Sequence, residues 1–285
     1  MHRIDTSTAQ VDKFGAGKNG FTGGNPQTGE LPTALNADFF DSVQEEIAAV
    51  IEAAGLTLTK SNRAQLLASM KMLVGPGRLL NVQTLTATGN YIPTPGTNKA
   101  VVEIVGAGAG GAPCAGSNSD TASFSGGGGS GAYCRFLLAI IPSLVACTVG
   151  SGGSSGNAGG ATSFGTYCTV AGGSTGKNGT TTNQGIVDGG AGGQTVTTSG
   201  VTKICSSIGE TGLYGLCQTT LGGCGGYGAS SILGLGGQGN GNGAGLPAGG
   251  YGAGGGGCFL PKGGSTTSQP GGAGSGGVII VYEYA

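Results

Sequence analysis

The chain has 285 residues, of which 67 are glycine and 10 proline, with 12 basic and 13 acidic side chains and a net charge of −1. So much glycine and proline usually signals low complexity or disorder, but disordered chains are polar and strongly charged, whereas here 9% of residues are charged and the mean hydropathy is +0.12. Collagen is excluded because no Gly-X-Y period is sustained, and the near-neutral balance leaves no basic patch for nucleic acid.

No apolar run reaches the ~18 residues of a membrane span; the longest, residues 136–149, is broken by Pro142 and Ser143. The opening MHRIDTSTAQ shows no apolar signal segment, so synthesis in a cytosol is expected. The eight cysteines form no CxxC and the single histidine is His2, so no metal site is expected. The cysteines are expected to stay thiols, as small buried hydrophobes. Disulfides formed after release from the cell are the alternative.

Residues 1–33 are rich in Gly, Thr and Asn and read as extended or loop. Residues 34–78 carry two helices. Asn36 or Asp38 can cap the first, and Phe40, Val43, Ile47, Val50, Ile51 and Ala54 form one apolar stripe. Gly55 is its stop. Thr59 or Ser61 can cap the second, which runs to about Leu73 with Leu66, Leu67, Met70 and Leu73 as its stripe, and the GPG at 75–77 ends it. Two short helices enclose little core, so their stripes are expected to pack on each other and on further copies of the chain. Packing on the second part is the alternative.

Residues 79–105 change to a period of two and read as strands near 81–92 and 99–105, split by a PTPGT turn. Residues 106–285 hold 56 of the glycines and only eight charges. Strand-like runs at 132–141, 144–149, 163–172 and 278–284 interrupt the glycine runs. The runs at 100–105 and 278–284 bracket the region, which suggests an antiparallel sheet with those two at its edges.

Ordering glycine costs about 0.5–1 kcal/mol per site relative to alanine, so dozens of glycines need a compensating geometry. Left-handed three-residue helices of the polyglycine II type supply one. Without Cβ atoms such helices approach closely and bond N–H to C=O across neighbours. A dinucleotide loop is not indicated: GAGAGGA at 106–112 follows a strand, but no helix or acidic residue follows it as that chemistry requires. No nucleophile–base pair stands out, and no catalytic residue or cofactor is expected. The four isolated acids of the second part leave polysaccharide cleavage as the enzymatic alternative.

The glycine-rich part resembles the C-terminal domain of tailed-phage and prophage tail fibre proteins. The resemblance rests on VVEIVGAGAGG, FSGGGGSGAYCRF, ACTVGSGGSSGNAGG, GGYGAGGGG and the closing GGAGSGGVIIVYEY, and covers about residues 100–285; 195–221 matches nothing in it. Independently, Phe39–Phe40, Gln44–Glu45–Glu46, Ala54–Gly55–Leu56 and Gln65–Leu66–Leu67 are similar to the helical segment of such fibres. The resemblance implies an α+β fibre protein, homotrimeric, with stacked polyglycine II helices and receptor-binding loops at one end. It implies attachment to tail or baseplate proteins through residues 1–33, trimerisation through the helices of 34–78, and a virion-tail location. It also implies contact of residues 106–285 with a bacterial surface receptor: an outer-membrane protein, pilus or glycan. A structural baseplate or fibre subunit is the alternative.

Receptor contact must come from residues between the glycine runs. The candidate insertions are 112–124, 195–220 and 258–269, carrying Asn118, Asp120, Phe124, Tyr214, Phe259 and Lys262, with Tyr227 and Tyr251 nearby. Aromatic rings give large contact area at small entropy cost. Plugging the interface between sheet and glycine helices is the competing role for each aromatic.

Overall fold

The computed structural model describes residues 2–75 and 77–285. The fold is α+β and mostly β, with two helices and antiparallel sheets among the described residues. It divides into two compact units, one ending at Arg78 and one spanning Leu79–Ala285.

In the first unit, the stretch up to residue 33 holds only turns and isolated bridges, such as Gln10–Gly20 and Asn25–Glu30. Helix α1 covers Ala37–Ala53, and the Asn36 side chain accepts from the Phe39 N–H, so it is the cap. Gly55 takes φ +75°, the left-handed turn that ends the helix. Helix α2 covers Gln65–Val74. Neither Thr59 nor Ser61 caps it. Instead the Gln65 side chain turns back, donating to the Thr57 carbonyl and accepting from the Thr59 N–H. Its stop falls at Gly75; Pro76 of the expected GPG stop lies outside the described residues. Of the expected trimerisation stripe, Ile51 is buried, Val43, Val50 and Leu66 are half-buried, and Phe40, Ile47, Leu67 and Met70 stay exposed.

The strands of the second unit are β1 Leu79–Leu85, β2 Gly89–Tyr91, β3 Lys99–Val105, β4 Ala122–Ser125, β5 Tyr133–Leu138, β6 Val145–Thr148, β7 Thr162–Phe164 and β8 Cys168–Val170. They continue as β9 Asn178–Thr181, β10 Gly185–Val187, β11 Val196–Thr198, β12 Thr202–Ser207, β13 Gly215–Thr219, β14 Gly222–Cys224, β15 Phe259–Leu260 and β16 Val278–Tyr284. The expected single strand over 163–172 is two, because Gly165 at φ +50° turns the chain between β7 and β8.

Two five-stranded sheets, ordered β1-β16-β3-β5-β12 and β11-β8-β7-β6-β2, share a core. Val102, Ile104, Phe136, Ile279 and Val281 come from the first sheet, and Phe164, Cys168 and Val170 from the second. Each fully buried large side chain there contributes about 1.5–3 kcal/mol. The bracketing strands β3 and β16 are direct neighbours in the interior of their sheet rather than its edges, which are β1 and β12. Two three-stranded sheets, β10-β13-β14 and β15-β4-β9, form a smaller core of Phe124, Cys217 and Phe259.

Glycine-rich segments run between the large sheets at one end and the small sheets at the other. Segments 106–112, 126–132 and 252–257 are buried throughout. Their N–H groups point in three directions in turn. Ala107 and Gly110 donate to Gly160 and Asn157, Gly108 and Gly111 to Ser275 and Gly272, and Ala109 and Ala112 to Gly129 and Gly126. In the second segment, Gly126 and Gly129 donate to Lys177 and Ser174, Gly127 and Ser130 to Leu213 and Glu210, and Gly128 and Gly131 to Gly255 and Gly252.

Around these three lie segments 150–153, 157–160, 171–176, 189–193, 209–213, 225–229, 235–240, 245–249 and 271–275, each bonded to at least one of them. This is a core made of backbone, and glycine is what lets it close. A Cβ at Gly128 would run into the carbonyl of Ala109, and one at Gly254 into the carbonyl of Gly128.

Cys114 and Cys258, 144 residues apart, form a disulfide. That corrects the all-thiol expectation for one pair; Cys134, Cys147, Cys168, Cys205, Cys217 and Cys224 are free. Burial pushes the Cys147 thiol up to about 11, so that group is a packed hydrophobe rather than a reactive thiolate. Thiol titration of the air-exposed, denatured chain is expected to count six per chain; eight would mean that the bond is absent.

Candidate functional site

The small-sheet end gathers the long connections of the second unit. The chain leaves the backbone core at Ala112 and loops through 113–121 before β4. Within that loop the Asn118 side chain accepts from the Asp120 and Thr121 N–H groups at 2.9 and 2.8 Å, a local turn that presents the Asp120 carboxylate to solvent. The connection from Pro261 to Pro270 lies against it. Ser117 N–H donates to the Ser265 carbonyl, Gly263 N–H to the Asn118 carbonyl, and Lys262 N–H to Thr220 between β13 and β14. Three loops distant in sequence are thus tied into one surface by their own backbones, with the Cys114–Cys258 bond at its base.

Beside it stands the turn that carries the chain from β9, at the edge of one small sheet, to β10, at the edge of the other. Lys177 at its foot pairs with Asp188 at 2.9 Å, both exposed, and that carboxylate raises the Lys177 pKa. Solvent screening makes the pair worth little to stability. A groove of about 480 Å³ opens between Pro113, Gly156, Thr175, Lys177 and Asn178. The hydroxyl of Thr175 has no hydrogen-bond partner.

The loop surface is rich in Ser, Thr, Asn and Gln, with Asp120, Lys262 and the Lys177–Asp188 pair as its charges. It offers many neutral donors and acceptors and little net field. That chemistry suits recognition by hydrogen bonds and contact area.

The fold sorts the sequence candidates. Asn118, Asp120 and Lys262 share the joined loop surface. Tyr214 stands at the entry to β13, 59% exposed, and Tyr227 is an exposed neighbour one segment over, its carbonyl accepting from Leu213 N–H. Phe124 and Phe259 are overturned as receptor contacts. They pair across β4 and β15, are 2% and 0% exposed, and fill the core under the loops. Tyr251 lies at the opposite end, packed with Val105, Tyr133 and Val278. Segment 195–220 is largely scaffold: it supplies β11 to one large sheet, β12 to the other, and a backbone-core segment before β13. The Lys177–Asp188 pair gave no sequence signal, since its two charges flank short Thr- and Gly-rich strands.

No protein-family model matches the chain. Over 110 residues, 39% of its length, the chain is 47% identical to an uncharacterized protein, StfP, of Escherichia coli strain K12. The matched stretch is 49% of that protein, so the chain spans about half the length of the curated relative it matches.

Proposed function

We propose that the chain is a phage tail fibre or tail-tip protein that binds a bacterial surface receptor through the joined loops at the small-sheet end. The single observation behind this reading is the backbone core itself: a rigid stack of glycine segments that gathers otherwise unrelated loops at one end. On this reading the segments with period-three donors are polyglycine II helices. The stack fixes the positions of the loops while their composition stays free, which is what an adhesin needs. The balanced charges of those loops, two basic and two acidic, leave little net field and favour a receptor met by hydrogen bonds and aromatic contact. The exposed stripe of Phe40, Ile47, Leu67 and Met70 supports a homotrimer built on the helical pair, with the N-terminal unit joining tail or baseplate proteins. The virion tail is then the protein's location.

Host-cell adsorption tests the reading. Purified protein is expected to bind host cells and not a phage-resistant mutant of the same strain. Tyr214→Ala is expected to reduce binding at least tenfold while its melting temperature stays within about 1 °C, because an exposed aromatic contributes contact rather than core. Unchanged adsorption after substitutions in all three loops would assign receptor contact to another chain. Early melting would place Tyr214 in the core.

A further inference from the structure

The segments that surround the backbone core differ in chemistry from one flank to the other. On segments 150–153, 157–160, 171–176 and 271–275, with the turn joining the first two, the exposed positions include Ser151, Ser154, Asn157 and Ser174, and no large hydrophobic side chain is exposed there. Segments 209–213, 225–229, 235–240 and 245–249 follow one another around the other flank. They are linked by the bonds Leu213 N–H to Tyr227, Gly228 N–H to Gly237 and Leu246 N–H to Gln238. With their adjoining turns, they expose Ile208, Leu213, Tyr227, Ile232, Leu235 and Leu246, each between 46% and 77% accessible.

Six such side chains present on the order of 600 Å² of apolar surface, most of the roughly 800 Å² that one partner contributes to a stable interface. Patches of that size on a soluble domain mark contact sites. The flank is almost uncharged: between Lys203 and Lys262 the only ionisable charge is Glu210. It therefore has no electrostatic feature with which to select a charged partner. It does carry a hole and a knob. A cavity of about 190 Å³ opens between Ile208 and Ile232, lined also by Tyr133, by Ser130 and three further serines, and by Glu210, so that its rim is part apolar and part polar. Leu235, at 77% exposure the most accessible of the six, stands on the same flank.

From this geometry we infer that the apolar flank is the face on which copies of this chain meet, the Leu235 side chain of one protomer entering the Ile208–Ile232 cavity of the next. With each knob seated in the hole of the next protomer, and not in that of the protomer filling its own, the contact is head-to-tail and closes into a ring when the rotation allows; a reciprocal exchange between two copies would instead give a dimer of about twice 27.1 kDa, which overturns the inference. The inference rests on the homotrimer in the proposed function, and it moves Tyr227 from the receptor surface to the protomer interface.

The test uses the full chain in a sedimentation dilution series. Wild type is expected at about three times 27.1 kDa. Leu235→Asp and Ile208→Asp are each expected to raise the concentration at which the assembly falls apart at least tenfold. Leu235→Ser is expected to do so more weakly, and Ser154→Asp on the polar flank not at all. Circular dichroism melts confirm that the variants fold, since all these positions are exposed. A wild-type monomer, or Asp variants that dissociate as wild type does, would overturn the inference. So would Asp variants that keep their mass and lose host-cell binding, because the flank would then be receptor surface. Wild-type adsorption is scored separately: a monomer that still adsorbs sinks the interface and leaves the receptor reading standing.

Discussion

Gly254→Ala is expected to cost about 3 kcal/mol or more and to lower the melting temperature sharply. The position lies in one of the three enclosed segments, donates to Ala229 and receives no space for a methyl group, because the carbonyl of Gly128 occupies it. Relief would require two backbones to separate, and each is bonded on its other sides, so strain cannot be passed to a flexible side chain. Gly249→Ala is the matched control: a Cβ there meets nothing within 4 Å, and the smaller backbone entropy of the unfolded state should make it neutral or stabilising by about 0.4–1 kcal/mol. Thermal melts of the two variants decide the matter. Equal melting temperatures would mean that the glycine segments are not packed as described.

Glu283→Ala is expected to be comparably damaging, about 2–4 kcal/mol, since it leaves buried donors unpaired. Glu283 on β16 is fully buried. Its carboxylate accepts from Gln83 at 3.1 Å, the Tyr91 hydroxyl at 2.8 Å, and the Thr94 N–H and hydroxyl at 2.9 and 2.6 Å. It thereby holds the 92–97 turn and β1 onto the sheet. Removing it strands a tyrosine hydroxyl, and a backbone donor on the turn, without an acceptor.

Burial alone would raise the Glu283 pKa, but the bonds from Thr94, Tyr91 and Gln83 outweigh it and leave the group below its ordinary value of 4.5. The same contact, after desolvation, pushes Tyr91 upward. A carboxyl with a depressed folded-state pKa adds stability that is complete above its unfolded value and is lost as pH falls through the folded one. Denaturant titrations are therefore expected to give a plateau above about pH 5 and a decline below pH 4.5 that Glu283→Gln abolishes. A decline of equal size in Glu283→Gln would assign the acid sensitivity elsewhere.

What the residues revealed depended on how local the deciding contact was. Helix α1 was legible because its cap, stripe and stop all sit within twenty residues, and β16 was legible because VIIVYEY has no competing local structure. The start of α2 was not, because its N-cap position falls on Ala64 and no side chain caps it, while Gln65 bonds back to the Thr57–Thr59 stretch instead. Phe124 and Phe259 misled for a different reason: the one sits between two serines and the other just past a glycine run, and only pairing across 135 positions makes them core. The Cys114–Cys258 bond is equally nonlocal. Segment 195–220 looked like an insertion because β11 and β12 are short and β12 is exposed along its whole length, so neither carries an apolar pattern. Period-three packing was inferable from the cost of ordering glycine, but the order of the segments was not, since near-identical glycine runs carry no register information.

The place of β16 bears on how the protein is made. It lies between β1 and β3, and Glu283 bonds Gln83 across 200 residues. While the chain is being synthesised, β1 and β3 exist long before the strand that joins them. Until residues 278–284 emerge, the facing edges of β1 and β3 lack the strand that pairs with both, and each is able to pair with a neighbour. Contacts this distant in sequence form slowly. Folding of the second unit is then a late, concerted event, and nascent chains on the same message pass through an interval of exposure in which mispairing competes with assembly.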